Sequence, residues 1–452
     1  MKFTVRYIAI LGVIVFYFLE LEQHQVLMML SYSLLVLWAD FRGFRLRRFD
    51  TSTAYAMLLS LTSISHVIAL FGLSNNPWFL TNVYSAEMAG RAIFIFNVGS
   101  IVLMESMRTV IRTKIEKEEN TLSSIIHTSS FVKLFIVSIV VFIVSSNFKV
   151  FLLSFGSFGS FIMMMVNGSV LLLSYIANAT RKHVAIVLGY TLFLSLWALQ
   201  FSYLRMEIVI PVVAYLGGDL LANRSVRRLH ILSKALIVGS LVIFPPLFTF
   251  LGENRSKMYG AKKLDATLEM FENPDSEEGQ TVMSRMSVIP QLSKIIMLTE
   301  KKGFYNGYTL SYLGYVFIPR FLWPEKPLIM QGQWFALEIG AAYKKKDGRA
   351  NNSVNMTVPG EFYLNFGWPG VLMGCALFGC FIGWIWNQTS YTTIFGWVFR
   401  FYFIFLGLFS LGADLQIVPK LISYLILYKL LVFISDRVSA PSVNPSSVQA
   451  NG

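Results

Sequence analysis

A succession of apolar runs, many of them near the roughly 20 residues a helix needs to cross about 30 Å of hydrocarbon, constrains this 452-residue chain more than any other feature. A segment surrounded by lipid must satisfy every backbone N–H and C=O internally, which leaves helices or closed barrels. Barrel strands alternate over about 10 residues, whereas these runs are apolar throughout. The expected class is all-α: a polytopic helical membrane protein with about 12 transmembrane helices. Composition agrees. The chain is 55% hydrophobic, 15% aromatic and only 14% charged, and its mean hydropathy of +0.59 is too high for a soluble domain of this size.

A formal charge of +13 raises the question of nucleic acid. The basic residues, however, gather in short connections between apolar runs, where the positive-inside rule expects them, and no nucleic-acid partner is expected. Arg42, Arg45, Arg47 and Arg48 mark the first cytoplasmic connection after spans at 5–18 and 26–38. Further spans at 54–73, 91–107, 131–145, 161–176, 184–204, 208–221 and 231–251 return to basic connections at Arg112 and Lys114, at Arg181 and Lys182, and at Arg227 and Arg228. Spans at 368–386, 393–411 and 421–434 complete the count, with both termini cytoplasmic and 437–452 a disordered tail. Lys2 and Arg6 precede the first run, but no small-residue cleavage site follows, so that span is expected to be retained. The resulting division is helices one to nine over 1–251, a large outer segment over 252–359, and helices ten to twelve over 360–436.

Within the outer segment, Met283, Met286, Leu292, Ile295 and Ile296 recur at roughly helical spacing over 281–301, interrupted at Pro290. The aromatic run 308–317 is too short to span and suits a re-entrant or interfacial piece. It leads into 318–327, Ile-Pro-Arg-Phe-Leu-Trp-Pro-Glu-Lys-Pro, whose three prolines forbid a continuous helix. Irregular backbone beside a bilayer is tolerated only inside protein or along a water-filled cavity. Arg320 and Lys326 ride on that turn. They suit two roles, snorkelling anchors beside Trp323 or cations for phosphate oxygens.

Glu361 and Asn365 stand four apart at the outer mouth of span ten and share a face if the helix begins there. The carboxylate suits a helix start, where the dipole favours it, and equally a general base for a sugar hydroxyl. Arg285 reads as a solvated loop charge, and Arg91, Lys149 and Arg205 as snorkelling residues at outer span ends. Two cysteines, Cys375 and Cys380, lie off a common face, and with five scattered histidines they build neither a disulfide framework nor a metal site. No nucleotide-binding glycine loop or Ser/His/Asp arrangement is present, and no cofactor or metal is expected.

Ser284-Arg285-Met286-Ser287, Gly307-Tyr308, the Pro-Arg-x-x-Trp-Pro-x-Lys-Pro piece from Pro319 to Pro327, and Glu361-Phe-Tyr-Leu-Asn365-Phe-Gly367 occur in that order. Together with the large outer segment, this arrangement resembles the Wzy-type O-antigen and oligosaccharide repeat-unit polymerases. The resemblance implies a bacterial inner-membrane glycosyltransferase acting at the periplasmic face. It would move a growing glycan from undecaprenyl diphosphate to the non-reducing end of a lipid-linked repeat unit, with a chain-length regulator and a flippase as partners. In that frame Glu361 and Arg320 are the catalytic candidates, and Lys326, Arg285, Asn365, Arg205 and Arg91 are candidates for substrate binding. Two alternatives stay open: an O-antigen ligase, which shares donor and topology, and a lipid-linked oligosaccharide flippase, which should carry polar residues deep in its spans.

Overall fold

The computed structural model describes residues 86–111, 131–147, 157–201, 205–223, 228–253, 289–316, 318, 323, 325–327, 330–344, 348, 350, 353–389, 396, 399–400 and 415–439. The expected spans at 5–18, 26–38 and 54–73, most of the span at 393–411 and the tail beyond 439 lie outside them. Among the described residues the protein is helical throughout and has no strand, only an isolated antiparallel bridge between Lys344 and Ala350. The helices are α1 (Ala86–Val110), α2 (Phe131–Asn147), α3 (Ser157–Thr180), α4 (Val184–Phe201), α5 (Arg205–Asn223), α6 (Ile231–Glu253), α7 (Ile289–Lys302), a 3₁₀ turn η1 (Tyr308–Gly314), α8 (Gln331–Glu338), α9 (Val358–Asn387) and α10 (Ile417–Ser439). Of these, α9 is long and apolar enough to cross a membrane, while α2 and parts of α1, α4, α5 and α6 form shorter apolar stretches.

Two cores organise the helices. In the first, α3 packs on α2, α4 and α5 around Val170, Leu173, Val187 and Tyr215. Polar side chains tie this group together: Ser138 of α2 bonds Ser169 of α3 and, at 2.9 Å, the Tyr190 hydroxyl of α4. Ser174 donates across to the Tyr215 carbonyl at 2.6 Å. Arg181 ends α3 in a left-handed conformation (φ 55°), and the Lys182 amide closes back on the Ala177 carbonyl. Asp219, fully buried on α5, accepts from Asn223 and from the His230 amide just ahead of α6. It caps a helix junction rather than standing alone.

The second core joins α1 to α7, α8, α9 and α10 around Ile95, Leu103, Ile295, Phe335, Leu364 and Val371. The close pairing of α1 with α9 has a specific cause. Cys375, Gly379 and Gly383 recur every four residues on α9 and form a stripe of small side chains, the arrangement that lets helix backbones approach. A Cβ on Gly379 would stand 2.2 Å from the Leu103 carbonyl oxygen, and one on Gly383 2.8 Å from that of Met107. From the other side, a Cβ on Gly99 of α1 would meet Pro359 at 2.6 Å.

Both groups expose large aliphatic side chains. Ile136, Val140 and Ile143 on α2, Leu196 on α4, Val238 and Val242 on α6, and Met373 and Leu377 on α9 all face outward. Apolar surface on this scale marks contact with a nonaqueous partner.

The tenth span, expected at 368–386, coincides with the part of α9 beyond a break at Gly367, and a shorter helical piece from Val358 that carries Glu361 and Asn365 precedes it. Of the helical spacing read over 281–301, 281–288 lie outside the described residues; from Ile289 on it forms α7, which opens with Pro290 in its first turn, where no intrahelical N–H is required of it.

Replacing Gly379 by Ala forces α1 and α9 apart against a packed core and is expected to cost about 1–3 kcal/mol. The check is thermal unfolding of the full chain in detergent, with Gly189→Ala, whose Cβ would meet nothing within 4 Å, as the control.

Candidate functional site

The site is built where α9 begins and breaks. Thr357 caps the helix from a left-handed backbone (φ 64°, ψ 151°), its hydroxyl accepting from the Gly360 amide at 3.1 Å. Pro359 occupies the first turn, where it withholds no needed donor. Gly360 lets α7 close over the turn, since a Cβ there would meet Leu292 at 2.7 Å and Ile295 at 2.8 Å. α7 itself is held to its neighbours by an apolar face of Leu292, Ile295 and Ile296, all fully buried. It ends at Gly303, left-handed at φ 80°, whose amide bonds the Thr299 carbonyl at 2.8 Å.

At Gly367 the backbone of α9 turns to φ 64° and ψ −146°, a region open essentially to glycine alone. Pro369 follows. In an unbroken helix the Leu364 and Asn365 carbonyls would receive the amides of residues 368 and 369, but the break displaces the first and proline lacks the second. The chain after α7 supplies both. Tyr305 donates to the Leu364 carbonyl at 3.1 Å and Asn306 to the Asn365 carbonyl at 3.0 Å. Asn306 (φ 50°) and Gly307 (φ 87°) are both left-handed, with Tyr308 bonding back to Tyr305 at 3.0 Å, a type I′ turn for which Asn-Gly is the favoured dipeptide. Phe304 closes the corner: a Cβ on Gly367 would stand 2.8 Å from its ring.

That turn delivers Thr309 to Glu361 and Asn365, and all three are buried. The Thr309 hydroxyl donates to Glu361 Oε1 at 2.9 Å while accepting from Asn365 Nδ2 at 2.7 Å. With one hydroxyl proton available, the direction of the chain is fixed: amide to hydroxyl to carboxylate. Asn365 Nδ2 also donates to the Glu361 carbonyl at 2.8 Å. The other carboxylate oxygen, Oε2, accepts the Leu415 amide at 2.8 Å, two residues ahead of α10, where free helix-terminal donors favour an anion. One buried carboxylate therefore joins α9, the η1 segment and the entry to α10.

The remaining candidates are placed unequally. Arg91 on α1 pairs with Glu300 of α7 at 2.7 Å, with both side chains partly exposed, so the pair contributes at most about 1 kcal/mol. Lys326 donates to the Val316 and Ile318 carbonyls at 2.6 and 2.9 Å, tying the end of η1 to the proline-rich turn. Arg320 and Arg285 lie outside the described residues, as does the side chain of Arg205 at the start of α5. Glu361 and Asn365 are thus brought together, and Arg91 and Lys326 are engaged elsewhere. Thr309 and the Leu415 amide were missed from the sequence, since one threonine in an aromatic run and one backbone amide carry no pattern. The Asn306-Gly307 dipeptide was the available signal.

On the outward side of the same turn, Tyr305, Tyr308 and Trp334 of α8 form a ring cluster, with centroids 5.2 Å apart for Tyr305–Trp334 and 5.4 Å for Tyr308–Trp334. The Lys302–Glu338 ion pair borders it. That carboxylate holds the Lys302 ammonium above its ordinary pKa. Burial, with Glu338 nearby, does the same for the Tyr305 phenol. Among the described residues no cluster of His, Cys, Asp and Glu is placed to hold a metal.

Compared with family models, with curated proteins and with solved structures, the chain finds no match.

Thr309→Val and Glu361→Gln each leave a buried polar group without its partner and are expected to lower stability by about 1–3 kcal/mol. Because the two side chains share one hydrogen bond, the double variant should lose less than the sum, by about 0.5 kcal/mol or more. Strict additivity of the unfolding free energies would show that the bond is not made.

Proposed function

We propose that the chain is a membrane-embedded glycosyltransferase of the repeat-unit polymerase kind, moving a growing glycan from a polyprenyl diphosphate onto a second lipid-linked unit. One observation carries the reading. Gly307-Tyr308 and Glu361 to Gly367, two of the motif pieces behind the resemblance and more than fifty residues apart in sequence, fold onto each other through Thr309, Asn306 and the break in α9. The outward-facing aliphatic side chains of α2, α4, α6 and α9 are in keeping with an embedded protein. In this reading the spans number about 12, the segment 252–359 and the start of α9 face the periplasm, and both termini are cytoplasmic.

The reaction needs cations for a diphosphate leaving group and a positioned acceptor hydroxyl, and no nucleotide. Arg320, with Arg285, supplies the positive charge, while Lys326, whose ammonium is held by the Val316 and Ile318 carbonyls, braces the turn that carries Arg320. A guanidinium on a proline-stiffened turn is suited to two phosphate oxygens at once. Glu361 had two roles open, orienting the acceptor or deprotonating it. Its geometry leaves neither as a direct contact, because each oxygen already accepts a hydrogen bond and the group is out of contact with solvent; Glu361 acts instead as a positioning residue that holds Thr309 and the η1 segment. Asn365 then acts with it, holding Thr309 and the turn that precedes it.

Losing one charge-assisted contact of about 1.5–3 kcal/mol slows turnover by roughly one to two orders of magnitude, the deficit expected of purified Arg320→Ala given lipid-linked repeat units. Polymer built at the unmodified rate would remove Arg320 from the mechanism. The product of the unmodified protein separates the reactions: a ladder of repeat lengths on the lipid carrier is the polymerase outcome. Glycan appearing only on a lipid A core is that of a ligase, and transport without polymer that of a flippase.

A further inference from the structure

The stretch 305–312 has two sides. Thr309 and Tyr312 turn inward and are buried, while Tyr308 and Ser311 turn outward. This is the period of three expected of a 3₁₀ turn, in which residues three apart eclipse. The inward side is spoken for by Glu361 and Asn365. The outward side presents Tyr308, 58% exposed, backed by the half-buried Tyr305 and Trp334 rings, with the Lys302–Glu338 pair at its edge.

We propose that this outward face is a glycan-binding platform, on which a pyranose unit of the acceptor lies against Tyr308 and Trp334 while Lys302 and Glu338 meet its hydroxyls. The proposal rests on the functional reading above and gives it a substrate subsite. Three features favour a sugar over lipid. The surface differs in chemistry from the outward-facing helices: α2 exposes Val and Ile, whereas this face exposes the Tyr308 phenol, with the half-buried Trp334 indole behind it, beside a charged pair. Its rings pack on one another at tilted to edge-on angles of 46°, 54° and 80°. They are therefore fixed, where headgroup anchors need only reach the interface. The platform is also preorganised by the site itself, because the I′ turn that orients Tyr305 and Tyr308 is pinned to the broken helix by the Leu364 and Asn365 carbonyls. A hydroxyl of a sugar seated there comes to the segment that Glu361 positions.

The test uses the full chain in detergent with chitotriose, maltotriose and a rhamnose trisaccharide as probes. Saturation-transfer NMR is expected to show transfer from aromatic protons to sugar C–H groups for at least one of them. Tyr308→Ala should weaken that binding about tenfold, the worth of one good ring contact. Tyr343→Ala, which removes an exposed ring elsewhere, should leave it unchanged. Because Tyr308 is more than half exposed, its removal is expected to spare the fold, and an unchanged melting temperature confirms this. No transfer from any probe to the folded protein, or transfer indifferent to Tyr308→Ala, overturns the platform. So does a membrane role, seen in nanodiscs as brominated-lipid quenching of Trp334, obtained by difference against Trp334→Phe, that the sugars do not relieve. Sugar binding without chain extension would sink the polymerase reading and leave the platform standing, and extension with Tyr308-independent binding would do the reverse.

Discussion

A carboxylate with no solvent contact is costly to bury, and the second core is arranged so that the cost is met. Glu361 receives one charge-assisted hydrogen bond from a hydroxyl and another from an amide at the head of α10. Remove either donor and a desolvated oxygen remains. The carboxylate therefore sets where η1 and α10 meet α9, and apolar packing by Leu292, Ile295 and Leu364 fills in around that choice. A hydrophobic replacement of the same size would strand the Thr309 hydroxyl and the Leu415 amide and would remove the bonds that fix the register of the three segments.

The break at Gly367 gives the carboxylate something to hold. A continuous helix would consume the Leu364 and Asn365 carbonyls internally. Interrupted by a glycine-only conformation and then a proline, it offers both to the chain from α7, and that chain must turn tightly to accept them. The Asn306-Gly307 turn, the Thr309 hydroxyl and the outward aromatic face follow from this one irregularity. Thr357, strained at positive φ, and Gly367, in a conformation that only glycine adopts freely, flank the polar residues on both sides.

Much of this was legible in part. Four-residue spacing placed Glu361 and Asn365 on one face, and the short aromatic run was recognised as something other than a span. The apolar window opening at Trp368 coincides with the part of α9 beyond the Gly367 break, while the piece from Val358 falls outside it because its polar residues lower the local hydropathy. The Gly379-x-x-x-Gly383 stripe was in the sequence, yet its partner, α1, lies more than 250 residues away, and a small-residue pattern says that a close crossing exists without saying with what. Arg91 and Lys326 look identical to free cations in a sequence. Their engagement with Glu300 and with the Val316 and Ile318 carbonyls depends on long-range packing that no local pattern encodes.

A polymerase reading asks that an irregular segment be held rigidly beside an embedded helix, and the Glu361–Thr309–Asn365 chain is the feature that does the holding. Amide hydrogen exchange across 303–312 in the full-length protein tests it most directly, because exchange reports the free energy of local opening. Slow exchange of the Tyr305, Asn306 and Thr309 amides, matching that of the first turns of α9, is the predicted result. Exchange of those three amides at the rate of an unprotected peptide, while α9 stays protected, would contradict it.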